Sequence, residues 1–172
     1  CSDGLDWVLH IDIDEMFHWS DAATAISKDL AASWFALVPD HVDAVRFLNM
    51  EAVPERTELD GANGETGSGD YFREVNLFKV NPSTLGTQFH SLIRRHWPRG
   101  RPYFTAYKNG KTAVRCQRTV VPKGSHGFER CDPNRLLVSV DAAQFVGDAA
   151  VPHILHFPHA SFTLWWRKYT VL

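Results

Sequence analysis

The chain has 172 residues, of which 44% are hydrophobic, so it can form one domain with a real core and does not have the composition of a disordered protein. Its net charge of −2 and pI near 6.5 exclude the basic surface by which proteins attract nucleic acid. No run approaches the roughly 18 apolar residues of a membrane-spanning helix.

The first part of the chain predicts a strand, a helix and a second strand. Residues 5–13 (LDWVLHIDI) place apolar side chains on one face, which indicates a largely buried strand that runs into acidic residues. In the following helix, apolar residues recur every three or four positions until Pro39, namely Ile26, Leu30, Trp34 and Leu37. Residues 42–48 predict the second strand, and this succession is typical of an α/β layer.

The rest of the chain begins with a long loop and ends in short strands. Residues 54–72 are acidic and rich in glycine, and loops of this length are usually functional or disordered. Asn109-Gly110 predicts a type I′ hairpin turn between strands at 103–107 and 112–121. The other predicted elements are a strand over 73–80, a helix over 88–97, and strands over 136–140 and 153–157.

The cysteines leave two possibilities open. Cys116 and Cys131 could form a disulfide bond, or both could be free thiols. Together with Cys1 they lack the C-x-x-C spacing of a zinc site.

The most informative segment is VLHIDIDEMF at residues 8–17. Side chains on a strand repeat every two residues, so Asp12 and Asp14 would project to the same side. Two carboxylates this close repel each other unless a cation lies between them. Mg²⁺ or Mn²⁺ would suit this place because each binds oxygen ligands and keeps positions open for substrate phosphates. The alternative is a solvated strand end whose acids cap the next helix.

Haloacid-dehalogenase-like phosphatases also place D-x-D at the end of a strand, with the first Asp as nucleophile and the second as acid/base. Phe145-Val146-Gly147-Asp148 resembles their later acidic motif. However, their loop continues with a small residue and Gly so that the chain can turn sharply, whereas Glu15-Met16-Phe17 follows here. Residues 149–152 also supply no second acid. A phosphatase is therefore the weaker alternative.

The segment WVLHIDIDEMF at 7–17 resembles the metal-binding strand of GT-A glycosyltransferases of the family 2-like and family 92-like kind, in which D-x-D-E and an aromatic residue follow an apolar strand. Four further segments resemble the same group in the same order: FREVNLFK at 72–79, YKNGKTAVR at 107–115, PKGSHGF at 122–128 and HILHF at 153–157. The resemblance implies an α/β fold, the C-terminal part of a GT-A catalytic domain, with a mixed sheet, flanking helices and a β-hairpin. It also implies that residues 1–172 form a single partial domain, with nucleotide-binding β-α-β units ahead of it.

The resemblance further implies a metal site. Asp12 and Asp14 would bind the ion that bridges the donor diphosphate, with Asp14 as the direct ligand and Asp12 reaching either the ribose or, through water, the metal. His126 would complete the site, and an imidazole ligand favours Mn²⁺ over Mg²⁺. Alternatively His126 is a loop histidine bonded to backbone, and its competitor His156 lies in an apolar strand. Glu15 would support the metal site and the binding of substrate.

Other charged residues would bind substrate or act as the general base of the reaction. Lys111 and Arg115 lie on one face of a predicted strand and could neutralise a diphosphate, unless they are only the solvated end of a hairpin. An inverting reaction needs a carboxylate that deprotonates the acceptor hydroxyl. The main candidates are Glu51, which we place first, and Glu74, with Glu55 ranked below both.

The sequence thus predicts metal-dependent transfer of a sugar from a nucleoside-diphosphate sugar to a glycan or other hydroxyl acceptor. The second hypothesis is a non-catalytic remnant of the same fold that binds a glycan or a partner. If the full-length protein is eukaryotic, the expected location is the Golgi, with or without a membrane anchor. If it is not eukaryotic, the expected location is the cytoplasm.

Overall fold

The computed structural model describes residues 6–19, 30–53, 75, 77–81, 84–96, 109–116, 119–145 and 151–157. The chain divides into two compact units. The first unit combines Cys1–Asn49 with Asn109–Ile154, and the second combines Met50–Lys108 with Leu155–Leu172. Each unit therefore joins segments that are far apart in sequence.

The described residues contain strands and helices of an α/β protein, as the sequence predicts. In chain order the elements are β1 (Trp7–Leu9), β2 (Glu15–His18), α1 (Leu30–Phe35), β3 (Ala44–Phe47), β4 (Asn49–Val53), β5 (Leu77–Lys79), α2 (Thr87–His96), β6 (Lys111–Arg115), β7 (Val120–Lys123), β8 (Gly127–Arg130), β9 (Ser139–Asp141), a 3-10 helix (Ala142–Gln144) and β10 (His153–His156). In this part of the chain no helix is long and apolar enough to cross a membrane.

The first unit is built on a mixed sheet in the order β1-β6-β3-β9. The central strands β6 and β3 are antiparallel, as are β1 and β6, whereas β3 and β9 are parallel. Apolar side chains at the middle of the sheet are fully buried, which is what strands covered on both faces require. At the sheet edge, Arg46 forms a bidentate ion pair with its register partner Asp141, with N–O distances of 2.5 and 2.8 Å.

Aromatic rings form the core beneath this sheet. Trp34 of α1 is fully buried, and its ring centroid lies 5.0 Å from that of Phe47 on β3 and 5.3 Å from that of Phe35. The predicted apolar stripe of the helix is thus confirmed at Trp34. It is wrong at Leu37, which is 55% exposed, because α1 ends at Phe35 and the chain then turns.

The second unit has its own small core. Strand β4 pairs antiparallel with β5 in the register Glu51↔Lys79, and the buried apolar residues are Ala52, Val75, Leu155 and Phe157. The helix predicted over 88–97 is confirmed as α2. The loop predicted over 54–72 and the first strand of the predicted 103–121 hairpin lie outside the described residues.

Two predictions about the metal-site segments are wrong in detail. Strand β1 ends at Leu9, so residues 12–15 form a turn and not a strand end, and Ile13 at its tip is fully exposed. Gly110 has a φ of 69°, but no described non-glycine residue has a positive φ, so Asn109-Gly110 is not a type I′ turn. Instead β6 pairs with β1 and β3.

An unpredicted hairpin follows β6. Strands β7 and β8 pair antiparallel and are joined by the three residues Gly124-Ser125-His126, with Gly124 at a φ of 64°. The single strand predicted over 112–121 is therefore two strands. Cys116, which lies between β6 and β7, is in a disulfide bond. Cys131 is a free, exposed thiol, so these two cysteines do not pair with each other.

Gly110→Ala should destabilise the chain much more than Gly124→Ala. Both substitutions place a side chain at positive φ, which costs about 1–2 kcal/mol. At Gly110 the added Cβ would also overlap the backbone carbonyl of Phe47, whereas nothing lies within 4 Å at Gly124. We expect a loss of about 3 kcal/mol or more for Gly110→Ala in urea unfolding. Equal losses for the two variants would contradict this packing.

Candidate functional site

The turn at residues 12–15 is closed by two reciprocal hydrogen bonds. The Glu15 backbone N–H donates to the Asp12 carbonyl at 3.0 Å, and the Asp12 backbone N–H donates to Oε2 of Glu15 at 2.7 Å. The pattern is like that of a capping box, in which a side chain three residues on bonds back to the chain. The Glu15 side chain is fully buried, whereas that of Asp12 is 43% exposed. The turn thus encloses the carboxylate of Glu15 and leaves that of Asp12 partly exposed to solvent.

Lys111, the first residue of β6, lies between these carboxylates. Its Nζ is 2.8 Å from Oδ2 of Asp12, 3.2 Å from Oε2 of Glu15 and 3.0 Å from the carbonyl oxygen of Ser125. The Lys111 side chain is fully buried. A lysine is almost never fully buried unless it is paired. Here the three oxygens match the three N–H donors of the Lys111 ammonium.

The position of Lys111 follows from the strand that carries it. In the β3–β6 register Lys111 lies opposite Phe47, and the missing side chain of Gly110 allows the chain to come close to the Phe47 backbone. The ammonium therefore points to protein oxygens inside the unit. A direct contact between Lys111 and a diphosphate stays a prediction.

The hairpin turn at 124–126 brings His126 to the same place. The Ser125 carbonyl accepts a hydrogen bond from Lys111, and the next residue is His126, whose Nε2 lies 2.8 Å from Oγ of Ser125. Lys111 therefore joins the Asp12–Glu15 turn to this hairpin, although in the sequence it is 99 residues from Asp12 and 14 residues from Ser125. Four residues that the sequence singles out, Asp12, Glu15, Lys111 and His126, lie together.

The pKa shifts of Asp12 and His126 reflect the charges around them. Partial burial works to raise the pKa of Asp12, but the hydrogen bond and charge of Lys111, together with His10 and His126, outweigh it and hold that pKa below its usual value. Burial and the charge of Lys111 lower the pKa of His126, although Asp12 and Glu15 act in the opposite direction. His10 is a neighbour that sequence reasoning missed; its position two residues before Asp12 is the signal that could have found it.

Arg115 has a different environment. Its guanidinium donates to the carbonyl oxygens of Val42 at 3.0 Å, Val38 at 2.8 Å and Pro39 at 3.2 Å, and it stacks on Trp7 with 4.6 Å from Cζ to the ring centroid. These contacts satisfy carbonyls of the chain just after α1. Arg115 therefore fastens that segment to the sheet, and its predicted contact with a diphosphate gains no support from this arrangement.

Of the two main candidate bases, the structure describes Glu51. Glu51 follows the strand predicted over 42–48, but in the structure it lies in the middle of a further strand, β4, with a side chain that is only 2% exposed. Its Oε2 is 3.1 Å from Nζ of Lys79 across the β4–β5 pair. Glu74 lies outside the described residues. His156, the competitor of His126, is in β10 as predicted.

The donor atoms suit a metal ion only in part. The partly exposed carboxylate of Asp12 and the imidazole of His126, which affect each other's pKa, are of the oxygen and nitrogen types that Mn²⁺ accepts. Within the described ranges, however, no group of three or more His, Cys, Asp or Glu side chains could hold a metal ion. Ions of this kind are often held by one or two carboxylates together with substrate phosphates. Asp12 and His126 would therefore need further ligands, such as substrate phosphates, to hold such an ion.

The chain is similar to two proteins of Arabidopsis thaliana. It is 30% identical over 161 residues to the protein named glycosyltransferase-like At2g41451, and 29% identical over 163 residues to glycosyltransferase-like At3g57200. Both alignments cover 93% of this chain but only 31% and 27% of the relatives, so the chain spans less than a third of their length. No protein-family model and no solved structure matches it. The chain is thus similar to part of each of two proteins that are named glycosyltransferase-like.

Glu15→Gln should destabilise the chain strongly, because it leaves the buried Lys111 ammonium without its buried counter-charge. Breaking one partner of a buried ion pair costs about 3–5 kcal/mol. Glu129→Gln is the matched control, since Glu129 also pairs with a lysine, at 2.9 Å, but is 48% exposed. An exposed pair contributes only about 0–1 kcal/mol. Chemical unfolding of both variants measures the difference, and similar losses would show that Lys111 does not depend on Glu15.

Proposed function

We propose that this chain is part of a glycosyltransferase of the GT-A type that moves a sugar from a nucleoside-diphosphate donor to a hydroxyl acceptor. The observation that carries the proposal is the meeting of the D-x-D-E turn with Lys111 and His126, which come from three separate segments. Each of these segments also resembles family 2-like and family 92-like enzymes. The names of the two relatives favour a transferase over a phosphatase.

In the proposed site, Asp12 and Asp14 hold a divalent ion with His126 as the nitrogen donor, and Mn²⁺ suits this set better than Mg²⁺. When bound, the ion would supply positive charge to the departing diphosphate. Support for this assignment comes from the partial exposure of Asp12 and from the mutual electrostatic effects of Asp12 and His126.

The surrounding residues would position these donors. Glu15 fixes the backbone of Asp12 through its 2.7 Å hydrogen bond, and Lys111 fixes the Asp12 carboxylate through its Oδ2 atom. The Oδ2 atom of Asp12 therefore points toward Lys111, and this contact also fixes the direction of the other carboxylate oxygen. This type of preorganisation places ligands before the reacting groups arrive, so no free energy is lost in ordering them during the reaction.

The proposed reaction also needs a general base for the acceptor hydroxyl. Glu51 suits this role poorly, since its buried carboxylate is paired with Lys79. Glu74 is therefore the better of the two main candidates that the sequence supplies.

Asp14→Asn should abolish Mn²⁺-dependent sugar transfer, since it removes the proposed direct ligand. The assay uses the protein at its natural full length and measures nucleoside diphosphate released from a panel of nucleotide-sugar donors with a hydroxyl acceptor. Asp40→Asn is the control, because the Asp40 side chain is fully exposed on the same unit. We expect a loss of at least 100-fold for Asp14→Asn, on the order of what the removal of one charge-stabilising group costs, and wild-type rates for Asp40→Asn.

Wild-type transfer by Asp14→Asn would contradict the proposed metal ligand. A wild-type protein that releases no nucleotide from any donor would instead favour a non-catalytic remnant of the fold.

A further inference from the structure

We propose that Lys111 is a built-in cation that prevents the Asp12–Glu15 turn from binding a divalent ion by itself, so that the metal binds only together with a diphosphate. This inference rests on the proposed function, because it assigns the order in which that site is filled. It differs from the role expected for Lys111 from the sequence, which is direct contact with the donor diphosphate.

The first argument is that Lys111 occupies the place between the acids. Its ammonium lies 2.8 Å from one oxygen of Asp12 and 3.2 Å from one oxygen of Glu15, and no part of the lysine side chain is exposed. Two carboxylates that converge on one point are the arrangement in which a hard cation binds. In this structure the cation at that point belongs to the chain itself.

The second argument concerns the donors that are left. Glu15 is enclosed, and its Oε2 is shared between the Asp12 backbone N–H and Lys111. Asp12 has given one oxygen to the ammonium. Correspondingly, the described residues offer no three-ligand metal group. A divalent ion that approached alone would also be repelled by a positive charge held in a low-dielectric interior.

The third argument is that a diphosphate changes this balance. Phosphate oxygens supply the ligands that the protein lacks, and their negative charge offsets the positive charge of Lys111 together with that of the ion. Lys111 therefore disfavours the metal alone but favours the metal with its diphosphate. The bond from Nζ to the Ser125 carbonyl also keeps the hairpin of His126 beside the turn.

The test measures Mn²⁺ binding to the 172-residue chain, first with Mn²⁺ alone and then with the Mn²⁺–pyrophosphate complex. Pyrophosphate is the probe because it contains the diphosphate without requiring a nucleotide-binding unit. The variants are Lys111→Met and Lys111→Gln, of which the second keeps a hydrogen-bond donor and is the safer one if Lys111→Met folds poorly. Lys123→Met is the matched control, since it removes one lysine that is 70% exposed.

For the wild type and Lys123→Met, we expect the Mn²⁺–pyrophosphate complex to bind at least tenfold more tightly than Mn²⁺ alone. For Lys111→Met and Lys111→Gln, we expect Mn²⁺ alone to bind at least tenfold more tightly than it does to the wild type, and Mn²⁺ to raise the Tm of these variants selectively. The preference for the complex should then largely disappear.

Two results would overturn the inference. One is that neither Lys111 variant binds Mn²⁺ more tightly than the wild type does. The other is that the wild type binds Mn²⁺ alone as tightly as it binds the pyrophosphate complex. Failure of the proposed function has a different signature, namely no sugar transfer by the full-length protein while the Lys111 variants still gain affinity for Mn²⁺.

Discussion

The arrangement of the candidate site depends on one buried charge. The Lys111 ammonium cannot be left unpaired inside the first unit, because an uncompensated buried charge is very costly. Its partners are oxygens of the Asp12–Glu15 turn and of the hairpin at 124–126. These segments are joined to β6 by this contact, so a single electrostatic requirement brings an acidic turn and a histidine to the same place.

This requirement also separates the roles of chemically similar residues. Glu15 and Asp12 belong to one turn, but Glu15 is enclosed with Lys111 whereas Asp12 keeps a partly exposed carboxylate. On β6, Lys111 and Arg115 are four residues apart, yet Arg115 satisfies backbone carbonyls near the end of α1. Position in the fold, and not residue type, therefore decides which charges are available to a substrate and which hold the protein together.

The sequence predicted those parts of the fold that local pattern controls. The α/β class, the strand predicted over 42–48, which is β3, and the helix predicted over 88–97, which is α2, follow from local sequence pattern. The end of β1 could not be predicted in this way, because the alternating apolar pattern continues through Ile13 although the chain already turns at Asp12. That turn is stabilised by the Glu15 side chain, whose burial depends on a lysine almost a hundred residues further on.

The candidate site was predicted to a similar degree. Residue chemistry singled out Asp12 and Lys111, the family resemblance added His126, and the structure brings them together. What sequence could not give is the direction of each side chain. The burial of Lys111 depends on the β3–β6 register, and the enclosure of Glu51 depends on its pairing with Lys79, and both arise from contacts between strands that are distant in the chain.

The most direct test of this account is a crystal structure grown with Mn²⁺ and a nucleoside diphosphate, with the ion located by its anomalous scattering. The account predicts one ion in contact with Asp12 or Asp14 and with the diphosphate, while Lys111 stays buried against Glu15. An ion and nucleotide bound elsewhere, or a Lys111 side chain that points to solvent, would contradict it.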